Sequence, residues 1–304
     1  MDFSKYIFRS HMVGKIISVQ KPLTKSQLDT FNSYEDRKNG IGKPLTNKQL
    51  ATWGDLYNRK NEKAKLTDGQ KNILSVLALD EKYGTKNELN SPKIRKGLEK
   101  EKEARDLISS TCGLFLTANE ERRTNDFVTG EIDIKPNDVI VDIKTAWCKD
   151  SYAKILNYKP NEVYLRQLDS YMDLWNKNQS LLCHVLIDTP FHLITKELWS
   201  FDYRENILDI DGNVRDEHID KAKQLILNHI FTEKGLNEFC EISENIERSW
   251  FDDFKERPAE ERIHMIPHYF EKSRIEQRNE CIHLSREFMS SVKSVNNFNP
   301  NLIK

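Results

Sequence analysis

The chain has 304 residues, of which 38% are hydrophobic and 31% charged, a balance that supports independent folding around a sizeable core. No apolar run approaches the ~20 residues of a membrane helix, and MDFSKYIFRSHMVGKIIS lacks the apolar stretch and small-residue cleavage site of a secretory signal, so a cytoplasmic protein is expected. The formal net charge of -1 conceals an asymmetry: residues 1–90 carry 16 Lys+Arg against 10 Asp+Glu, whereas residues 191–304 carry 16 against 22, and a basic first third suits contact with a polyanion.

In chain order the first feature is a repeat. KPLTKSQLDTFNSYEDRKN (21–39) aligns with KPLTNKQLATWGDLYNRKN (43–61), and AKLTDGQKNILSVL (64–77) begins a shorter third copy. Each opens on Leu-Thr-x-x-Gln, a capping box in which Thr24, Thr46 and Thr67 cap a helix and Gln27, Gln49 and Gln70 reach back from its third residue. Two of the helices end on Arg37-Lys38 and Arg59-Lys60. These pairs either complement a helix C-terminus or form a repeated phosphate contact.

The pattern changes from residue 91. Residues 92–110 read as a helix, 113–118, 125–134 and 138–147 as strands, 161–177 as a helix and 180–188 as a buried strand. The order is α-β-β-β-α-β. Residues 191–304 read as mostly helical, with a hairpin turn at Asp211-Gly212, a strand over 262–270 and a last helix over 272–292. Three regions follow: a basic helical stretch at 1–90, an α/β core at 91–190 and a helical extension at 191–304.

Side chains alternate along a strand. In VIVDIKTAW (139–147), Val139, Val141 and Ile143 therefore share one face, and Ile140, Asp142 and Lys144 the other. If this strand pairs with GEIDI (130–134), Asp133 and Asp142 converge at one sheet end beside Lys144. Two carboxylates so placed suit a hard divalent cation, which prefers oxygen ligands; taken alone, Asp-x-Lys on a strand is more commonly an ordinary ion pair on a solvated face. On the preceding helix, Leu98, Ala104, Leu107 and Ile108 mark the apolar side. Glu101 falls within that stripe, while Glu99 and Glu103 point away, and a carboxylate there needs a positive partner. On the later helix Gln167 and Tyr171 are neighbours on the face that also holds Tyr164, Leu168 and Trp175.

These motifs together resemble the PD-(D/E)xK nuclease superfamily, and within it phage-encoded, lambda-exonuclease-like members. The residues that carry the likeness are Gly97-Leu-Glu-Lys-Glu101, Gly130-Glu-Ile-Asp133, Val141-Asp-Ile-Lys144, Gln167-Leu-Asp-Ser-Tyr171 and Asp188-Thr-Pro190. The resemblance implies a restriction-endonuclease-like α+β fold, a mixed central sheet with helical decorations at both ends. It implies a Mg²⁺- or Mn²⁺-dependent deoxyribonuclease in which Glu101, Asp133, Asp142 and the Ile143 carbonyl hold the metal. Lys144 would orient or deprotonate the attacking water, burial beside a metal lowering its pKa, and Gln167 and Tyr171 would position Lys144 or the DNA backbone. Arg9 and Ser10 resemble the family's early Arg-Ser segment and, with Arg37, Lys38, Arg59 and Lys60, would contact DNA.

The expected activity is a phage-type exonuclease on duplex DNA ends in recombination or replication. A structure-selective or restriction-type endonuclease on the same core, and a non-catalytic module that binds DNA ends or single strands, are the alternatives. The analogy also leaves room for a homo-oligomer and a single-strand annealing protein as partner; no membrane is involved. The sequence departs from the family at Ile132, where proline precedes the first acid. Some relatives bind an iron–sulfur cluster, but Cys112, Cys148, Cys183, Cys240 and Cys281 are scattered without a CxxC, so no cluster is expected. Residues 209–213 lack the spacing of a calcium loop, and His264 and His268 lack that of a zinc site.

Overall fold

The structure is a computed structural model that describes residues 2–17, 23–61, 65–85, 91–243 and 245–292. Its Cα positions divide the chain into two compact units that are not consecutive in sequence. One comprises Met1–Tyr6, Lys15–Thr85 and Glu276–Lys304, the other Ile7–Gly14 and Lys86–Ile275. A short strand, β1 (Phe8–Arg9), leads into α1 (Ser10–Ile16), and the three repeat helices follow as α2 (Lys25–Lys38), α3 (Asn47–Asn61) and α4 (Asp68–Tyr83).

All three capping boxes form. In each the threonine hydroxyl accepts the glutamine N–H at 3.3 Å, and the glutamine side chain accepts the threonine N–H at 2.8 to 3.0 Å. The repeat makes α2 and α3 reciprocal partners. Lys38 lies 3.2 Å from the centre of the Trp53 ring and Lys60 4.2 Å from that of Phe31, so equivalent cations cover equivalent aromatics. Arg37 donates to the Lys43 and Pro44 carbonyls and to Gln49, while Arg59 reaches Gln27 at 3.5 Å. Isolated helices of this length are marginal in water; these contacts hold the pair together.

The second unit contains α5 (Pro92–Glu99), α6 (Glu101–Cys112), β2 (Arg122–Thr124), β3 (Val128–Glu131), β4 (Ile140–Thr145), α7 (Lys149–Asn157), α8 (Glu162–Trp175) and β5 (Gln179–Val185). Beyond them lie α9 (Phe191–Glu205), α10 (Ile219–Leu227), α11 (Glu233–Ile242) and β6 (Ile263–Tyr269), and α12 (Lys272–Ser291) closes the described chain. The architecture is mixed α/β, with strands arranged β1-β3-β2 and β4-β5-β6. In each sheet one pair is parallel and the other antiparallel.

Four expectations need correction. The strands around Asp133 and Asp142 do not pair: β3 and β4 belong to different sheets. Residues 113–118 form no strand. Gly113, at φ 63°, ends α6 in the left-handed conformation, and beyond it only Ala118 bridges to Ile134; the first strand of the three is instead β2. The helix over 92–110 breaks at Lys100, so Glu101 opens a new helix. Between β4 and α8 the chain inserts α7, which the expected order lacked. The turn at Asp211-Gly212 does form, with Gly212 at φ 84°, closed by one bridge between Leu208 and Val214.

The faces of β4 follow its alternation. Val141 and Ile143 pack with Ala104 and Ile108 of α6 and with Cys183 and Val185 of β5. Ile140 packs on the other side with Leu168, Tyr171, Met172 and Trp175 of α8. The sheet is thus a layer between α6 and α8, and Asp142 points toward α8. The C-terminal segment completes this sheet, because β6 pairs with β5 from Gln179–Tyr269 to Val185–Ile263. No helix among the described residues is long and apolar enough to cross a membrane.

Candidate active site

β4 is an edge strand, so N–H groups on its open side need acceptors. Asp133 stands on a bend just past β3 and supplies one: Ile143 N donates to its Oδ2 at 3.3 Å. The bend is held by Asn119 N donating to the Asp133 carbonyl and Lys135 N to the Thr117 carbonyl. One carboxylate therefore arrives beside Asp142 without a ladder between β3 and β4.

Asp142 is buried, at 1% exposure, and Lys144 Nζ lies 2.7 Å from its Oδ2. That ammonium is the close partner of the buried Oδ2. Burial pushes the Asp133 carboxyl up to about 6, the charge of Asp142 pushes the same way, and Lys144 and the Ile143 N–H resist. For Lys144, burial alone would favour the neutral amine, but Asp142 and Asp133 outweigh it and hold the group above its ordinary value. Two buried carboxylates thus favour Lys144 as an ammonium.

Glu101 reaches the same cleft by a route other than the one expected. Leu98 is 71% exposed, because the break at Lys100 interrupts the apolar stripe and leaves only Ala104 and Ile108 fully inside. Glu101, in the first turn of α6, lines a cleft of about 660 Å³ with Asp133, Ile143, Lys144, Tyr164 and His184. Its neighbours are engaged elsewhere: Glu99 pairs with His192 and Glu103 with Lys100.

Gln167 Nε2 donates to Tyr171 Oη at 2.8 Å, and both are buried. Burial and Asp142 push the Tyr171 phenol up to about 12, so it stays protonated. A Cβ on Gly130 would come within 2.6 Å of Ser10 Oγ and 2.7 Å of Tyr171 Cε1; only glycine lets these groups meet. Ser10 is buried and donates to the Thr129 carbonyl, whereas Arg9 is exposed. Arg37, Lys38, Arg59 and Lys60 belong to the other unit, where the α2–α3 contacts engage them.

Several residues in and behind the cleft were not foreseen. His184 sits opposite Lys144 on β5 and opposite His264 on β6. Burial, His264 and Lys144 lower it to about 4, which leaves a neutral imidazole beside an ammonium. Tyr164 offers its ring to both, 5.3 Å from Lys144 Nζ and 6.1 Å from the His184 ring. Lys96 is wholly buried and donates to the Trp147 carbonyl at 3.0 Å and Thr189 Oγ1 at 2.9 Å, pinning α5 to the ends of β4 and β5. Burial lowers it to about 7 against the pull of Asp188.

Among the described residues no three His, Cys, Asp or Glu side chains stand close enough together to enclose a metal ion as they are placed. The chemistry of the donors nevertheless fits a hard cation. Glu101, Asp133 and Asp142 offer only oxygen, and burial with the neighbouring charge of Asp142 disfavours the Asp133 carboxylate even beside Lys144, a balance that a further cation would relieve.

Neither a protein-family model nor a curated protein sequence matches the chain. Among solved structures, it is similar to a phage-related exonuclease from Haemophilus somnus 129PT, with 20% identity over 95% of each chain and a TM-score of 0.55. The alkaline exonuclease LHK-Exo from Laribacter hongkongensis aligns over 78% of this chain and 88% of its own, at 13% identity and a TM-score of 0.43. The chain therefore has the fold of the phage-related exonuclease.

Proposed function

We propose that the protein is a metal-dependent deoxyribonuclease that hydrolyses DNA phosphodiester bonds from duplex ends. The observation that carries this reading is the gathering of Glu101, Asp133 and Lys144 on one cleft, with Asp142 buried against Lys144, in a fold shared with an exonuclease. The preference for ends follows that neighbour's activity. Glu101, Asp133, Asp142 and the Ile143 carbonyl would hold Mg²⁺ or Mn²⁺, which supplies hydroxide at neutral pH and neutralises charge developing on the phosphate and leaving oxygen.

The protein's own groups do the rest. Lys144, beside Asp142 and Asp133, orients or deprotonates the attacking water and stabilises negative charge on the attacked phosphate. Asp133 is anchored by the Ile143 N–H, so its free oxygen is aimed rather than mobile. Tyr171, locked by Gln167, closes the side of the site nearest Gly130. Tyr164 and neutral His184 flank the lysine without adding a competing positive charge.

The test is incubation of end-labelled linear duplex and covalently closed circles with Mg²⁺, with EDTA, and with Lys144→Ala. Loss of linear DNA alone, dependent on Mg²⁺ and reduced at least about 100-fold by the substitution, is the expected result. Nicking of circles would indicate an endonuclease on the same core, and no cleavage of either substrate would remove the catalytic reading.

A further inference from the structure

The helix α7 takes no part in the chemistry above, yet it forms a wall of the same cleft. Trp147, Ser151, Lys154 and Tyr158 all line it, and their spacing of three or four residues places them on one face of the helix and its flanking turns. Tyr158 is 73% exposed, so its ring contributes little to folding. Lys154 is exposed, as is Lys159 at the end of the same wall, and neither pairs with a carboxylate among the described residues. Lys93 stands exposed on α5 in the same cleft. An open aromatic face between unpaired cations is poor core and good recognition surface, since every nucleobase offers a π-face and every linkage a negative charge.

We propose that α7 and the turn after it form a subsite for an unpaired nucleic-acid strand, one base stacking on Tyr158 and the neighbouring phosphates meeting Lys154 and Lys159. A cleft of about 660 Å³ is of the size that encloses small ligands, which suits one or two nucleotides of a single strand rather than a duplex. The inference rests on the nuclease reading of the cleft and names the form in which substrate lies there.

The test uses the full chain in EDTA with a short oligothymidylate carrying one 2-aminopurine, whose fluorescence is quenched when it stacks. Wild type is expected to bind and quench. Tyr158→Ala, at an exposed position, is expected to lose the quench and bind about tenfold more weakly, and Tyr158→Trp to restore both. The double substitution Lys154→Ala/Lys159→Ala should keep the quench but flatten the dependence of log K on log salt by about 1.4. Binding and quenching by Tyr158→Ala equal to wild type, an unchanged salt slope in the double variant, or no binding by wild type would each overturn the subsite. Mg²⁺-dependent cleavage by wild type separates the two ideas. Cleavage with an indifferent Tyr158 leaves the nuclease and removes the subsite, whereas the expected binding without cleavage does the reverse.

Discussion

At Asp133 the burial that penalises a carboxylate opposes the proposed metal-holding role. Burial pushes its carboxyl up to about 6 from the ordinary 3.8, so the folded metal-free protein binds that proton more tightly than the unfolded chain does. Stability from this group is therefore full below about pH 4 and is lost as pH rises through 6. Asp133→Asn should make the metal-free protein more stable at pH 8 by about 1–2 kcal/mol, and less so at pH 4, while abolishing cleavage; urea denaturation in EDTA at the two pH values measures it. A gain over wild type no larger at pH 8 than at pH 4 would show that burial does not penalise this carboxylate. Lys96 has the opposite sign. It titrates near 7 when folded and 10.5 ordinarily, so wild type should gain on Lys96→Met as pH rises from 7 toward 10.

At the scale of elements, the approach of β3 to α8 depends on a missing side chain. Gly130→Ala drives a methyl group into Ser10 and Tyr171, an overpacking expected to cost about 1–3 kcal/mol and to shift Tyr171 from its place beside Gln167, both readable by thermal denaturation and near-ultraviolet circular dichroism. The elements also show what a sequence can and cannot convey. The capping boxes and the two faces of β4 were legible because both follow from spacing within a few residues. The separation of β3 from β4 was not, since strand pairing is a long-range choice and Asp133 reaches Ile143 through its side chain. The break at Lys100 was hidden by helical residues on both sides of it. Glu101 was selected by assuming one unbroken stripe that included Leu98; it lines the cleft for a different reason, as the first residue of a new helix. His184 was out of reach, because its place beside Lys144 exists only through the register of two distant strands.

For the whole molecule, the charge asymmetry of the sequence falls on parts with different duties. The basic repeat spends its cations on its own aromatics and carbonyls, so Lys38, Lys60, Arg37 and Arg59 hold α2 to α3 whatever else they touch. If they also meet phosphate, Lys38→Gln/Lys60→Gln should lower the salt dependence of duplex binding by about 1.8 in log–log slope. If their role is internal alone, the slope stays constant and only the melting temperature falls. The division into regions 1–90, 91–190 and 191–304 reflected shifts in composition. The compact units join segments distant in sequence: residues 276–292 fall in the unit of the N-terminal helices, and β6 completes the sheet that carries Asp142 and Lys144.

The central claim is that Glu101 acts with Asp133, Asp142 and Lys144, and it is tested most directly by comparing Glu101→Gln with Glu103→Gln. The rate of nucleotide release from linear duplex in Mg²⁺ should fall at least about 100-fold for the first and stay within about twofold of wild type for the second, whose carboxylate is paired with Lys100 at the exposed surface. Equal rates for the two variants, or a greater loss at Glu103, would contradict the assignment.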